Sequence, residues 1–265
     1  MNNDMNDRYY SDQELMAVFI SRQIQDGEFV SVGTNLPVPR AGVLLAHLHH
    51  APNLILGTGD ILTNYAKGGR LEAFEFIADS RAAFGAEGVT AMDFETLRRV
   101  DLFFVGGVQI DKYGNTNLIG IGKDHRHLKF RGPGGAGTAT LTALVKRYFI
   151  YTNSHTPRIF VEECDFRSTV GWDKGGADAR KKLGFPGGGP DYVITPLCVM
   201  DFEEETKRMR LKHLAPHTTV EEVVKNTGFE LIIPKVIEPI AAPTEQELDT
   251  LRTRVDTAGI LRRSG

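Results

Sequence analysis

The sequence predicts an open α/β fold, one domain over residues 1–265 with a largely parallel sheet, helices on both faces and a C-terminal helical extension. Three observations predict it. Short apolar runs of strand length alternate with amphipathic helical segments along the chain, the grammar of consecutive βαβ units. The run Leu102-Phe-Phe-Val105 is apolar at every position, as a strand covered on both faces requires. The 265 residues are 41% hydrophobic and 25% charged, enough for one large core in the proportions of an ordinary globular protein.

Ser11-Asp-Gln-Glu14 is a capping box, and Leu15, Met16, Phe19, Ile20 and Ile24 form one apolar helical face that stops at Gly27. Residues 29–32 read as a strand, 41–50 as a helix and 54–56 as a short strand before Gly57-Thr-Gly-Asp60. Residues 57–88 mix charge with scattered glycine and receive no assignment; elements resume at Phe94. A helix is expected over 136–147, strands over 148–152 and 158–162, and a loop over 184–190. Strands over 193–200 and 207–214 flank a charged turn at 204–206. Thr218-Thr-Val-Glu221 opens a capped helix ending at Gly228, and Thr244-Glu-Gln-Glu247 opens the last helix, with Leu248, Leu251 and Val255 along one face.

A net charge of -3 gives no electrostatic reason to expect nucleic acid or an acidic membrane surface as a partner. Cys164 and Cys198 are too few for a disulfide scaffold and sit in strand-like runs, which suits reduced, buried thiols. The polar N-terminus lacks the apolar segment of a secretory signal. No stretch approaches the roughly 20 apolar residues that span a bilayer. A soluble cytoplasmic protein without membrane or nucleic-acid partners is the expectation.

The segment from Asp101 to Asn117 carries the most chemical information. Gly106 and Gly107 follow the apolar strand where a Cβ would obstruct a bend or a ligand. A turn then places the amides of Gln109, Asn115 and Asn117 around one loop. An ordinary strand and turn is the alternative. Gly132-Pro-Gly-Gly-Ala-Gly137 matches the dinucleotide pattern GxGxxG, but no clear first strand leads into it and no acid follows about 20 residues on. A Walker loop fails at Thr138. Beyond a plain helix entry, the backbone N–H groups of Gly134, Gly135, Ala136 and Gly137 suit a thioester oxygen, a carboxylate or a phosphate.

Asp124-His-Arg-His127 has two histidines on one face but names no third ligand, so no metal is assigned. Glu162, Glu163 and Asp165 precede Trp172, the only tryptophan; they read either as exposed acids or as a pocket wall, to which Asn35 is added.

Gly106-Gly-Val-Gln-Ile-Asp-Lys-Tyr-Gly-Asn-Thr-Asn117 resembles the signature of the second, β, subunit of class I CoA-transferases, in the pattern of the glutaconate CoA-transferase β chain. Further segments agree in order: Val30-Ser-Val-Gly-Thr-Asn-Leu-Pro37, Ala51-Pro-Asn53, the glycine loop, Leu183-Gly-Phe-Pro-Gly187, Phe202-Glu-Glu-Glu-Thr-Lys-Arg-Met-Arg210 and Val223-Val-Lys-Asn-Thr-Gly-Phe229. The resemblance covers nearly the whole chain. It implies a class I CoA-transferase-like fold and an α subunit of the same superfamily as partner, in a heterodimer or heterotetramer. Coenzyme A enters as part of an acyl-CoA substrate, with no bound cofactor. The implied acyl-CoA pocket comprises Gly106, Gly107, Gln109, Asn115, Asn117 and Gly134 to Gly137.

One departure matters. Class I CoA-transferases attack the thioester with a glutamate, and that position falls on Gly59. Covalent catalysis of this kind needs a carboxylate. Asp60, next door, is a methylene shorter and, in an extended segment, faces the other way; it stays the candidate nucleophile only through a one-residue shift. The superfamily contains members without the glutamate. Here Leu54-Ile-Leu-Gly-Thr-Gly-Asp60 and Ile159-Phe-Val-Glu-Glu-Cys-Asp-Phe-Arg-Ser168 look like steroid-ring-opening CoA-thioester hydrolases, while the length and the 184–190 loop look like the glutaconate enzyme. The expectation is hydrolytic or lytic carbon–carbon chemistry on the acyl group. The alternatives are genuine CoA exchange, or a non-catalytic subunit that closes its partner's pocket.

Overall fold

The computed structural model describes residues 9–33, 36–58, 61–65, 80–84, 94–135 and 137–263. In chain order it runs α1 (Asp12–Arg22), β1 (Phe29–Ser31), α2 (Pro37–His49), β2 (Ile55–Thr58), β3 (Ile61–Tyr65), β4 (Ser80–Phe84), α3 (Phe94–Arg99) and β5 (Leu102–Val105). Next come β6 (Gln109–Asp111), β7 (Thr116–Asn117), β8 (Gly120–Ile121), β9 (Phe130–Arg131), α4 (Thr138–Leu144), β10 (Arg147–Tyr151) and β11 (Phe160–Val161). The last part holds α5 (Ala179–Lys182), β12 (Pro190–Ile194), β13 (Cys198–Phe202), β14 (Met209–Leu214), α6 (Val220–Lys225), β15 (Glu238–Pro239) and α7 (Glu245–Thr250).

Ten strands form one sheet in the order β15-β14-β13-β12-β10-β5-β1-β2-β3-β4. Its centre, β12 to β2, is parallel. Antiparallel strands flank it on both sides. Because successive side chains of a strand face opposite ways, the all-apolar strands feed two cores. Leu102, Phe104 and Phe149 join α1, α2 and the C-terminal Leu251, Val255 and Leu261. Phe103, Val105, Tyr148 and Ile150 join Leu97 of α3, Leu141 of α4 and Val223 of α6. Helices therefore cover both faces. The C-terminal segment is tied down by Arg252 Nε, 2.7 Å from the buried Glu14, and by Ser11 Oγ, which donates to Leu261 O at 2.6 Å.

The capping boxes at Ser11 and Thr244 form as expected. Four other expectations are corrected. The helix expected to reach residue 147 ends at Leu144, because Arg147–Tyr151 pairs with β5 and β12 instead. The strand expected over 193–200 is two, broken where Thr195 Oγ1 accepts from Leu197 N and Cys198 N in the turn around Pro196. The strand expected from residue 207 begins at Met209, after Lys207 takes a left-handed φ of 54°. The N-cap expected at Thr218 lies one residue on, at Thr219, whose hydroxyl accepts from Glu222 N at 3.2 Å.

Candidate functional site

From β1 the chain turns through α2, on one face, to β2 on one side. The strand on the other side of β1 is β5, and the helix that follows it, α4, packs on the opposite face. Strand order thus reverses between β1 and β5, and open parallel sheets bind ligands beyond the carboxyl ends of strands at such a point. The residues there are Val32-Gly33 and Gly106-Gly107. Val32 N donates to Gly57 O at 3.0 Å, which fixes the start of the first loop against the end of β2. A Cβ on Gly107 would stand 2.7 Å from Gln109 O and 3.1 Å from Thr116 Cβ, so only glycine permits this fold-back.

Beyond Gly107, β6 and β7 pair as a hairpin with β11 alongside. Gln109, Asn115 and Asn117 are buried rather than displayed around a loop. Asn117 Nδ2 donates to Gln109 Oε1 and to Gly120 O, both at 2.7 Å, and its Oδ1 accepts from Ile119 N and Gly120 N. Asn115 donates to Asp111 Oδ2 at 2.8 Å and to Asp173 O at 2.9 Å, and accepts from Gly171 N. Gln109 Oε1 also accepts from Asp165 N. These bonds commit the Asn115 and Asn117 amides and the side-chain carbonyl of Gln109 to the protein itself. What the segment offers a ligand is backbone shape. Asp111 is buried within this network, and desolvation pushes its carboxyl above the usual range against the hydrogen bonds from Asn115 and Tyr113 N.

The glycine loop lies on the same segment. Gly132 N donates to Ile119 O and Gly134 N to Leu118 O, each at 2.8 Å. A Cβ at Gly132 would meet Leu118 O at 2.3 Å, whereas one at Gly135 finds only Ser168 and Thr138 side-chain atoms at 3.8 Å. Gly134 and Gly137 take φ of 93° and 81°. The bonds from Gly132 N and Gly134 N seat the start of the glycine loop on Leu118-Ile119, the residues that follow Asn117. Asn35, Gly59, Asp60 and Ala136 lie outside the described residues.

Of the three expected pocket-wall residues, Asn35 lies outside the described residues and the other two border different cavities. Glu163 is exposed, 3.8 Å from Arg167, on a cavity of about 370 Å³ shared with Asp111, Lys112 and Asp173. Trp172 packs on Phe202 beneath Lys207 Nζ, 4.6 Å from its ring, and borders a separate cavity of about 200 Å³ with Asp191 and Arg210. Its indole Nε1 is buried without a partner among the described residues.

Sequence reasoning missed three buried cationic-type side chains, Arg40, Arg180 and His155. Arg180 is 3% exposed, and its guanidinium donates to the carbonyls of Thr142, Val170, Gly171 and Gly187 without a carboxylate. Within Ala-Arg-Lys-Lys it looks like a solvated helix end. His155 sits between Thr195 Oγ1 at 3.0 Å and Thr227 Oγ1 at 3.1 Å, stacked on Phe160, and burial lowers its pKa to about 4. Nothing in its local sequence signals this. Both cysteines are free and buried, and burial pushes the Cys198 thiol up to about 12. Among the described residues no helix is long and apolar enough to cross a membrane.

Residues 13–226 match the family model described as Coenzyme A transferase. The chain is 35% identical over 251 residues to the B subunit of 3-oxoadipate CoA-transferase from Pseudomonas knackmussii, covering 92% of each. It is 34% identical over 260 residues to the B subunit of glutaconate CoA-transferase from Acidaminococcus fermentans, covering 93% of each. The crystal structure of that glutaconate enzyme matches with a TM-score of 0.84 at 28% identity, over 97% of this chain and 99% of that one. The cholesterol ring-cleaving hydrolase IpdB subunit of Mycobacterium tuberculosis is 28% identical over 250 residues, 92% of this chain and 94% of its own. A switch-point edge built from glycine turns, on a fold and a sequence shared along nearly their whole length with these subunits, places this chain in the coenzyme A transferase family.

Proposed function

We propose that the chain is the β subunit of a heteromeric enzyme that takes an acyl-CoA thioester at the carboxyl edge of its parallel strands. Its reaction falls on the acyl group, as hydrolytic or lytic carbon–carbon cleavage, and the catalytic carboxylate comes from the α subunit. Coenzyme A enters with the substrate. The partner is supported by its relatives, which are themselves named as B subunits.

The reaction class is carried by Gly59, on which the family's glutamate position falls when Ala51-Pro-Asn53 is matched to the resembling glutaconate subunit. Glycine forms no acyl anhydride, and the exchange mechanism needs one. The described residues at this edge do not replace it: Val32-Gly33, Thr58, Val105-Gly-Gly-Val108 and Tyr151-Thr-Asn-Ser154 contain no carboxylate. The neighbouring acids are engaged, Asp165 Oδ2 with Gly122 N and Asp111 with Asn115.

Genuine CoA exchange is the second reading, with Asp60 as nucleophile. It is favoured by the higher identity to two named CoA-transferase subunits, 35% and 34%, than to the ring-cleaving hydrolase subunit, 28%. Trapping decides between them. The complex with its α subunit is incubated with acyl-CoA thioesters, then treated with borohydride or hydroxylamine and examined by mass spectrometry. Product that keeps its CoA and an unlabelled β chain are expected. A covalent adduct on this chain with ping-pong transfer of CoA to a free acid overturns the proposal.

A further inference from the structure

The hairpin of β8 and β9 carries Lys123, Asp124, His125, Arg126, His127, Lys129 and Arg131, all exposed. Four cations less one aspartate give it a formal charge of +3, in a chain whose net charge is -3. Asp124 is already engaged, accepting from Arg126 N at 2.9 Å and lying 2.8 Å from His127 Nδ1. Among the described residues none of the four cations pairs with a carboxylate.

Like charges this close repel, and a charged edge strand protects against aggregation with fewer of them. Their position gives them another use. The hairpin is closed tightly, since a Cβ on Gly120 would lie 2.3 Å from Phe130 O. Its outgoing strand is held at Gly120 O by Asn117 Nδ2 and at Gly122 N by Asp165. Its return strand runs directly into the glycine loop, anchored by Gly132 N on Ile119 O. Lys129 immediately precedes β9 and Arg131 ends it, both exposed. The cations therefore stand at a fixed place directly before the glycine loop.

From this we infer that the β8–β9 hairpin is the subsite for the phosphates of the nucleotide half of coenzyme A, with Lys129 and Arg131 as its main cations. The inference rests on the acyl-CoA reading above. Coenzyme A carries its phosphates at the end remote from the thioester, so a site holding the thioester at glycine turns needs its cations displaced along the same edge. Arginine grips a phosphate with paired N–H groups and lysine serves it as a point charge.

The test uses the complete heteromer carrying Lys129→Glu and Arg131→Glu together, with coenzyme A and pantetheine as calorimetric probes. Both side chains are exposed, so an unchanged thermal midpoint and co-elution with the partner are expected. The Kd for coenzyme A should rise at least about tenfold and lose much of its salt dependence, while pantetheine binding stays unaltered. Unchanged coenzyme A affinity in the folded complex overturns the subsite, as does equal weakening of both probes or loss of the partner. Failure of the unmodified heteromer to bind coenzyme A at all removes the acyl-CoA reading itself, and the subsite with it.

Discussion

Asn117 donates from Nδ2 to Gln109 Oε1 across 2.7 Å, with neither side chain open to solvent. The bond ties β7 to β6 immediately after the Gly106-Gly107 turn, and Asn117 also holds the first residue of β8 through Gly120 O and Gly120 N. Truncation to Asn117→Ala strands Gly120 O and two backbone N–H groups in a buried site. Each such group costs about 1–3 kcal/mol, so a loss of at least about 3 kcal/mol is expected. Urea unfolding of the heteromer checks it; a shift below about 1 kcal/mol argues that water replaces the amide.

How much of this is legible in the sequence depends on where the partner residues lie. Leu102 to Val105 declares a buried strand because all its neighbours are apolar, and the boxes at Ser11 and Thr244 are complete within four residues. Arg147 reads as the end of a helix because its strand character depends on β5 and β12, each more than 35 residues away. The amide of Asn115 looks like a surface turn residue for the same reason: Asp173 and Gly171, which help satisfy it, lie 58 and 56 residues away. Pro196 is the readable sign that residues 193–200 break in two. Arg180 has no such sign.

The glycine loop separates steric from functional effects. At Gly135 a new side chain meets only ordinary contacts, whereas at Gly132 it meets backbone at 2.3 Å. Gly135→Val is expected to weaken CoA-thioester binding while leaving the thermal midpoint of the heteromer nearly unchanged. Gly132→Ala should destabilise by about 1–3 kcal/mol or more, lowering the midpoint by several degrees. Calorimetry and thermal scans on the two variants test the contrast; full CoA affinity in folded Gly135→Val counts against the loop as a binding element.

His155 sets an acid limit on stability. Burial holds its pKa at about 4 in the folded chain, against about 6.5 when unfolded. The folded state therefore binds fewer protons between those values. Stability should be independent of this group above about pH 6.5, fall as the pH drops toward 4, and level off below it, by up to about 3 kcal/mol in all. His155→Gln cannot titrate and should remove that part of the pH slope. Urea midpoints for the two proteins across pH 4 to 7 measure it, and parallel profiles would show that His155 is not the titrating group.

Asp60→Asn probes the reaction class without disturbing size. If Asp60 attacks the thioester, replacing its carboxylate removes the nucleophile, and turnover should fall by at least about a thousandfold, as losses of covalent catalytic groups do. If the chemistry uses a carboxylate of the α subunit, Asp60 supplies only local charge, and the loss of one charge that does not attack the substrate is expected to cost about a factor of ten or less. The modest loss is expected, because the family's attacking position is Gly59 and Asp60 has the shorter reach. Steady-state kcat of the reconstituted heteromer gives the first comparison, and hydroxylamine capture on the unmodified protein gives the second. A thousandfold fall together with an adduct that maps to Asp60 makes the aspartate a true nucleophile and returns the chain to CoA exchange.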